Sequence, residues 1–274
     1  MKIRKPMWAD QFYPSDPQEA QRMWSVFFER CATARIDEPV KGIQVPHAGW
    51  IYSGQAAAEA YNQLKNRSIE SVVMIGPQHH VMVRSLQVFP EGVWNSPLGG
   101  LEVDSKISRR FLEFDKAFQV EISAHQAEHS LEVQIPPLAS VLPHVKIVPI
   151  LTPPYSGHAN ILADALIEIV GSNPDIIVLV STDLYHGESY DECRKSDEKT
   201  ISYVSNVDAE GLQGALGSGE AAACGGDGLV AFLKASASLG ITKARLLAAY
   251  NSNDVTGMRS GYVVGYSAFA FTGA

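Results

Sequence analysis

Short uninterrupted apolar runs alternate along the chain with stretches whose apolar positions recur at helical spacing. The runs Gly42–Val45, Val72–Ile75, Leu86–Phe89, Lys146–Leu151 and Ile176–Val180 predict strands, as do Leu246–Tyr250 and Tyr262–Phe271 near the end. A run such as Ile176-Ile177-Val178-Leu179-Val180 has no polar alternation, which suits a strand covered on both faces. Helices fall between them. Ser15-Asp16-Pro17 is a cap followed by a proline and starts a helix reaching about Ala34, with Met23, Phe27 and Cys31 on one face. Further helices are predicted at Ser53–Leu64, Ser105–Phe114, His158–Val170, Ser196–Val207 and Asp227–Leu239. Another, Ser130–Val141, is interrupted by Pro136-Pro137, and Trp94–Gly100 reads as turns. No internal repeat or linker breaks the series. The pattern predicts one α/β/α sandwich domain over residues 1–274, built on a central, mostly parallel sheet.

Chemistry gathers where strands end. Pro46-His47-Ala48-Gly49-Trp50 follows the first run, Gly76-Pro77-Gln78-His79-His80 the second, and Ser181-Thr182-Asp183-Leu184-Tyr185-His186 follows Ile176–Val180. Imidazole is the commonest metal ligand, and open α/β sheets build their sites at the carboxyl ends of strands. One loop histidine is more often a hydrogen-bonding group than a ligand; recurrence at three strand ends reverses that weighting. Cys224, in Ala223-Cys224-Gly225-Gly226, lies just before a helix, whose positive end favours thiolate. His47, His79 and Cys224 therefore offer two nitrogens and one sulfur with positions left open. Of the histidine pair only one ring is expected to point inward, so His80 is assigned to the surroundings, with His129 as another neighbour. Asp183 and His186, three residues apart, can converge if the loop turns back, either as a proton relay or as ligands.

Composition narrows the function. Among 274 residues the formal net charge is −8 and no Lys/Arg run reaches three residues, which disfavours nucleic acid. No apolar stretch is long enough for a membrane helix, and the start lacks the apolar core of a secretory signal. Three scattered cysteines, Cys31, Cys193 and Cys224, fit a reducing cytoplasm better than a disulfide framework. Cys193 has no evident partner.

Six segments, taken in order, resemble the Memo family, the system protein B of bacterial AmmeMemoRadiSam gene sets. They are Pro46–Gly54, Gly76–His80, Ser96–Gly99, Glu128–Glu132, Ser181–His186 and Cys224-Gly225, and with Phe12-Tyr13-Pro14 the likeness covers nearly the whole chain. Ala9-Asp10-Gln11 departs from it where the family often carries glycine. The resemblance implies the fold of class III extradiol (LigB-type) dioxygenases, which open catechol rings with non-haem iron(II). It implies His47 and His79 as imidazole ligands, Cys224 in place of a ligating glutamate, and His186 as acid–base histidine, with Asp183 orienting it. Iron(II) or copper is the expected ion, with zinc ranked behind. A thiolate in place of a carboxylate is softer and oxidisable, so ring cleavage need not be inherited. The resemblance implies redox or oxygen-using chemistry on a small molecule, and functional association with AMMECR-like and radical-SAM proteins. The rival readings are a non-catalytic peptide- or ligand-binding module and a metal-dependent hydrolase.

Overall fold

The computed structural model describes residues 2–154 and 156–273. Its first part contains β1 (Ile3–Arg4), α1 (Pro17–Glu29), β2 (Val40–Val45), α2 (Trp50–Asn62), β3 (Ser71–Pro77) and β4 (Leu86–Val88). Then come β5 (Val93–Ser96), β6 (Gly99–Glu102), α3 (Ser105–Phe114), β7 (Phe118–Gln119), α4 (Ile122–Ala127), α5 (Ile135–Val141) and β8 (Lys146–Thr152). The remainder runs α6 (Ala159–Ile169), β9 (Ile176–Ser181), β10 (His186–Gly187), α7 (Tyr190–Ser205), α8 (Ala209–Ser218) and α9 (Gly226–Ala235). It closes with β11 (Ile241–Asn251), α10 (Ser252–Thr256) and β12 (Val263–Gly273).

The fold is α/β, with a nine-stranded mixed sheet flanked by helices. Its centre, in the order β2-β9-β3-β8, is parallel as expected. Antiparallel β12 and β11 extend one side, and β4 pairs antiparallel with β8 on the other. Alternate residues of each central strand serve opposite helical layers, because successive side chains of a strand point to opposite faces. Val72 and Met74 join Ile177, Leu179, Trp24, Trp50 and Tyr61 in one core. Val73 and Ile75 join Val178, Val180, Leu166 and Phe232 in the other. Small residues let α2 lie close: Ala56, Ala58 and Ala60 are fully buried, and a Cβ on Gly54 would come within 2.5 Å of the Phe27 ring.

Several elements differ from the sequence pattern for identifiable reasons. Helix α1 stops at Glu29 because the amides of Ala32 and Thr33 bond the Glu59 carboxylate at 2.8 and 3.1 Å instead of continuing the helix. Trp94–Gly100 is a hairpin of β5 and β6, placing Trp94 opposite Leu101 on a buried face. The stretch from Ser130 begins with a 3-10 turn at Glu132–Gln134, and Pro136-Pro137 occupy the first turn of α5, where absent N–H groups cost little. Helix α8 was not legible: Gly211, Gly214 and Gly217 dilute its pattern, yet Asp208 caps its start and Gly219 ends it in a left-handed conformation.

Candidate metal centre

Parallel β2, β9 and β3 all end at one edge of the sheet, with β9 between the other two. His47 follows β2, His79 follows β3, Asp183 and His186 follow β9, and Cys224 lies in the loop before α9. One ligand atom each from His47, His79 and Cys224 lie within 4.8 Å of one another. Cys224 Sγ is 3.2 Å from His47 Nε2, and the two imidazole rings are 5.2 Å apart, edge to face. Gly225 makes the close approach feasible, since a Cβ there would sit 2.7 Å from the Ser181 carbonyl and 2.8 Å from Thr182 Cβ.

Hydrogen bonds dictate which nitrogen of each ring is bare. Ser181 donates its one hydroxyl hydrogen to the Ser130 carbonyl at 2.7 Å and accepts from Gln134 Nε2 at 2.9 Å. What it presents to His47 Nδ1, at 3.0 Å, is a lone pair. Nδ1 therefore carries the hydrogen and Nε2 is bare. The Glu128 carboxylate accepts from the amides of His79, His129 and Ser130 at 2.6, 3.0 and 2.9 Å, and meets His79 Nδ1 at 2.8 Å. An acceptor surrounded by donors makes His79 Nδ1 a donor too, leaving its Nε2 bare. Such outer partners orient ligating imidazoles and raise their basicity. Two bare Nε2 atoms and one sulfur make a donor set that fits a transition-metal ion.

Electrostatics follow from burial. His47, 2% exposed, is held well below the ordinary imidazole range by burial and then by neighbouring His79, so the ring is neutral. Burial also takes His129 down to about 3, with His47 adding to it. For Glu128 burial pushes upward, but the His79 hydrogen bond and the adjacent imidazoles outweigh it and bring the carboxyl to about 2. Burial, and next the Asp183 charge, raise the Cys224 thiol, which accepts the Asp183 amide at 3.2 Å. A bound cation would displace that proton.

A cavity of about 980 Å³ opens alongside, lined in part by His79, Cys224, His186, Leu184, Gln78 and Lys195. His186 is exposed on its wall, and its Nδ1 meets the Leu184 carbonyl at 3.0 Å. Asp183 does not hold that ring. Its Oδ1 accepts the His47 amide at 2.7 Å, and its Oδ2 lies 3.9 Å from His47 Nε2, behind the cavity. Burial raises this carboxyl. His80 and His129 stand beside the site, with the His129 ring stacked on His79 at 4.7 Å. Cys193 finds its partner in Asp197 Oδ2, 3.3 Å away on α7.

Glu128, Ser181 and Gln134 were missing from the sequence-derived set. Glu128 carried a usable signal, since a carboxylate next to a histidine in a strand-proximal loop is a common orienting partner. Ser181 and Gln134 carried none. The amino-terminal segment was missed as well: Arg4 and Glu132 form a buried ion pair at 2.6 Å, and Glu132 also accepts Trp8 N at 2.6 Å and the Tyr13 hydroxyl at 2.7 Å.

A family model described as Memo-like protein matches residues 4–270. The chain is 34% identical to a MEMO1 family protein of Desulfurococcus amylolyticus over 99% of both chains. It is 35% identical to one of Ignicoccus hospitalis, again over 99% of both. A relative in Thermotoga petrophila is 34% identical over 96% of this chain and 97% of its own.

Proposed function

This chain belongs to the Memo family, and on that premise we propose that it binds one transition-metal ion through His47 Nε2, His79 Nε2 and Cys224 Sγ. The observation supporting this reading is the pair of enforced tautomers. Ser181 and Glu128 each claim an Nδ1 hydrogen and leave each Nε2 bare; His47 Nε2 lies 3.2 Å from the Cys224 sulfur, and His79 offers a ligand atom within 4.8 Å of both. A thiolate beside two imidazoles suits iron(II), copper or zinc, and the family resemblance puts iron or copper ahead of zinc.

When bound, the ion supplies Lewis-acid or redox chemistry to a small molecule in the adjoining cavity. The chain's own residues do the rest. His79 and Cys224, which line the cavity, and His47, buried beside them, would hold the ion. His186, on the cavity wall, takes or delivers a proton at its Nε2, because Nδ1 is engaged by the Leu184 carbonyl. Asp183 fixes the His47 loop by accepting the His47 amide at 2.7 Å. The reading is that of a dioxygenase-like oxidoreductase acting on a small molecule. Three free cysteines suit a reducing cytoplasm, and AMMECR-like and radical-SAM proteins are the proposed functional associates.

Anaerobic purification followed by elemental analysis, then iron and copper titration into the chain and into His47→Ala, tests the reading. The expected result is about one iron or copper per chain, lost in the variant because three protein ligands leave no redundancy. Unchanged affinity in His47→Ala overturns the assignment. Zinc at full occupancy redirects it to hydrolysis, and no metal at all to a binding module.

A further inference from the structure

Two imidazoles outside that donor set face each other at the mouth of the site. His80 Nε2 and His129 Nδ1 are 3.1 Å apart. An ion bonded to two nitrogens at roughly 2.0–2.1 Å, with an angle between square and tetrahedral, holds them roughly 2.9–3.4 Å apart. A hydrogen bond between the two nitrogens already holds them at that separation, and a cation bridging them would displace its proton. Neither ring is free to drift: Trp8 stacks on His80 at 4.7 Å and Phe12 on His129 at 4.5 Å. Trp8 is itself pinned, its amide to Glu132 and its indole N–H to the Ala127 carbonyl at 3.0 Å. Glu128 Oε1 lies 3.3 Å from His129 Nδ1 and adds negative charge. His80 is exposed, so an ion can arrive from solvent.

The pair also connects inward. His79, Glu128 and His129 offer ligand atoms within 4.8 Å of one another, and the His129 ring is 5.4 Å from that of His47. An ion at the outer pair is one imidazole removed from the inner nitrogens.

We propose that His80 and His129 form a second, outer metal site for a borderline divalent cation, and that ions reach the inner centre through it. Two imidazoles completed by water suit Zn²⁺, Ni²⁺ or Cu²⁺ better than the soft Cu(I) that a thiolate prefers. The outer site stands without the inner one; only the route rests on the function proposed above.

The test uses the full chain with the inner sulfur silenced, Cys224→Ser, with His47→Ala as an independent alternative. Titration with Zn²⁺ should leave one residual ion. His80→Gln keeps a hydrogen-bonding group but removes the ligand, so it should weaken that ion by at least the roughly tenfold that loss of an outer partner costs. Cu²⁺ should quench the Trp8 component of the emission, and Trp8→Phe should remove that component while keeping the stack. Absence of a residual ion, or one that His80→Gln leaves unchanged, overturns the site. In the otherwise native chain, His80→Gln should slow inner-site loading several-fold in a stopped-flow experiment without changing final occupancy. An unchanged loading rate overturns the route. A native chain that never loads the inner centre refutes the proposed function instead, leaving the Zn²⁺ result at the outer pair to be judged separately.

Discussion

Replacing Glu128 by glutamine keeps the size of the side chain and removes its charge. The carboxylate accepts four hydrogen bonds, three from backbone amides and one from His79 Nδ1. An amide can place an oxygen at only one end, so its NH2 must face a donor, either the His79 amide or the group around Oε1. A carboxyl at about 2 instead of 4.5 is stabilised as its anion by roughly 3 kcal/mol, at ~1.4 kcal/mol per pKa unit. That agrees with the ~1.5–3 kcal/mol range for hydrogen bonds to charged groups. The folded-state value is depressed, so this stability is present above the unfolded value and lost as pH falls from about 4.5 through about 2. Glu128→Gln should therefore lose about 2–3 kcal/mol in urea unfolding at pH 7, and the gap should close toward pH 2. With His79 no longer held in one tautomer, metal affinity should fall about 10–100-fold. Native stability at pH 7 together with affinity within twofold of the parent would refute both the charge assignment and the tautomer argument.

Ser181→Ala should weaken metal binding by a similar ~10–100-fold, because it frees the His47 tautomer, and a competition assay with a chelator of known affinity reads this directly. Gly225→Ala should cost about 1–3 kcal/mol by overpacking against the Ser181 carbonyl. It should also slow thiol-directed modification of Cys224 less than it lowers metal affinity, since the sulfur is displaced rather than buried further. His125 is fully buried, and burial, then the Arg4 charge, hold it at about 3. The folded chain refuses a proton that the unfolded chain accepts near 6.5, so stability falls with pH below that value by ~1.4 kcal/mol per unit. His125→Phe, placed against the Phe89 and Trp94 rings, should flatten the pH 7 to pH 5 stability difference by about 2 kcal/mol; parallel curves would dismiss the assignment.

What could be read beforehand depended on whether the determining contact was local. Ile176–Val180 announces a buried strand because every position needs an apolar neighbour, and β9 occupies that stretch and one residue more. His47, His79 and Asp183 stood out for the same reason: each directly follows such a run. Cys224 was visible through the glycines that let its loop approach β9. The Ser181 hydroxyl looks like any strand-end serine until His47 and the Ser130–Gln134 segment arrive around it from two other parts of the chain. Asp183 was expected to orient His186, three residues on, but the His47 amide, far away in sequence, is what its oxygen meets. Helix α1 ended early for a similarly distant reason, the claim of Glu59 on two backbone amides.

The placement of β9 has a consequence for when the centre comes into being. Strands β2 and β3 do not pair with each other; with β9 between them they stand two spacings apart, about 9.6 Å. A chain emerging from the ribosome carries His47 and His79 early, yet the strand that sets their spacing is made much later, and Cys224 later still. Non-local pairings of this kind form slowly and only once both partners exist. On the proposed metal assignment, the full donor set would assemble only once β9 and the Cys224 loop are in place, and loading would follow closure of the sheet.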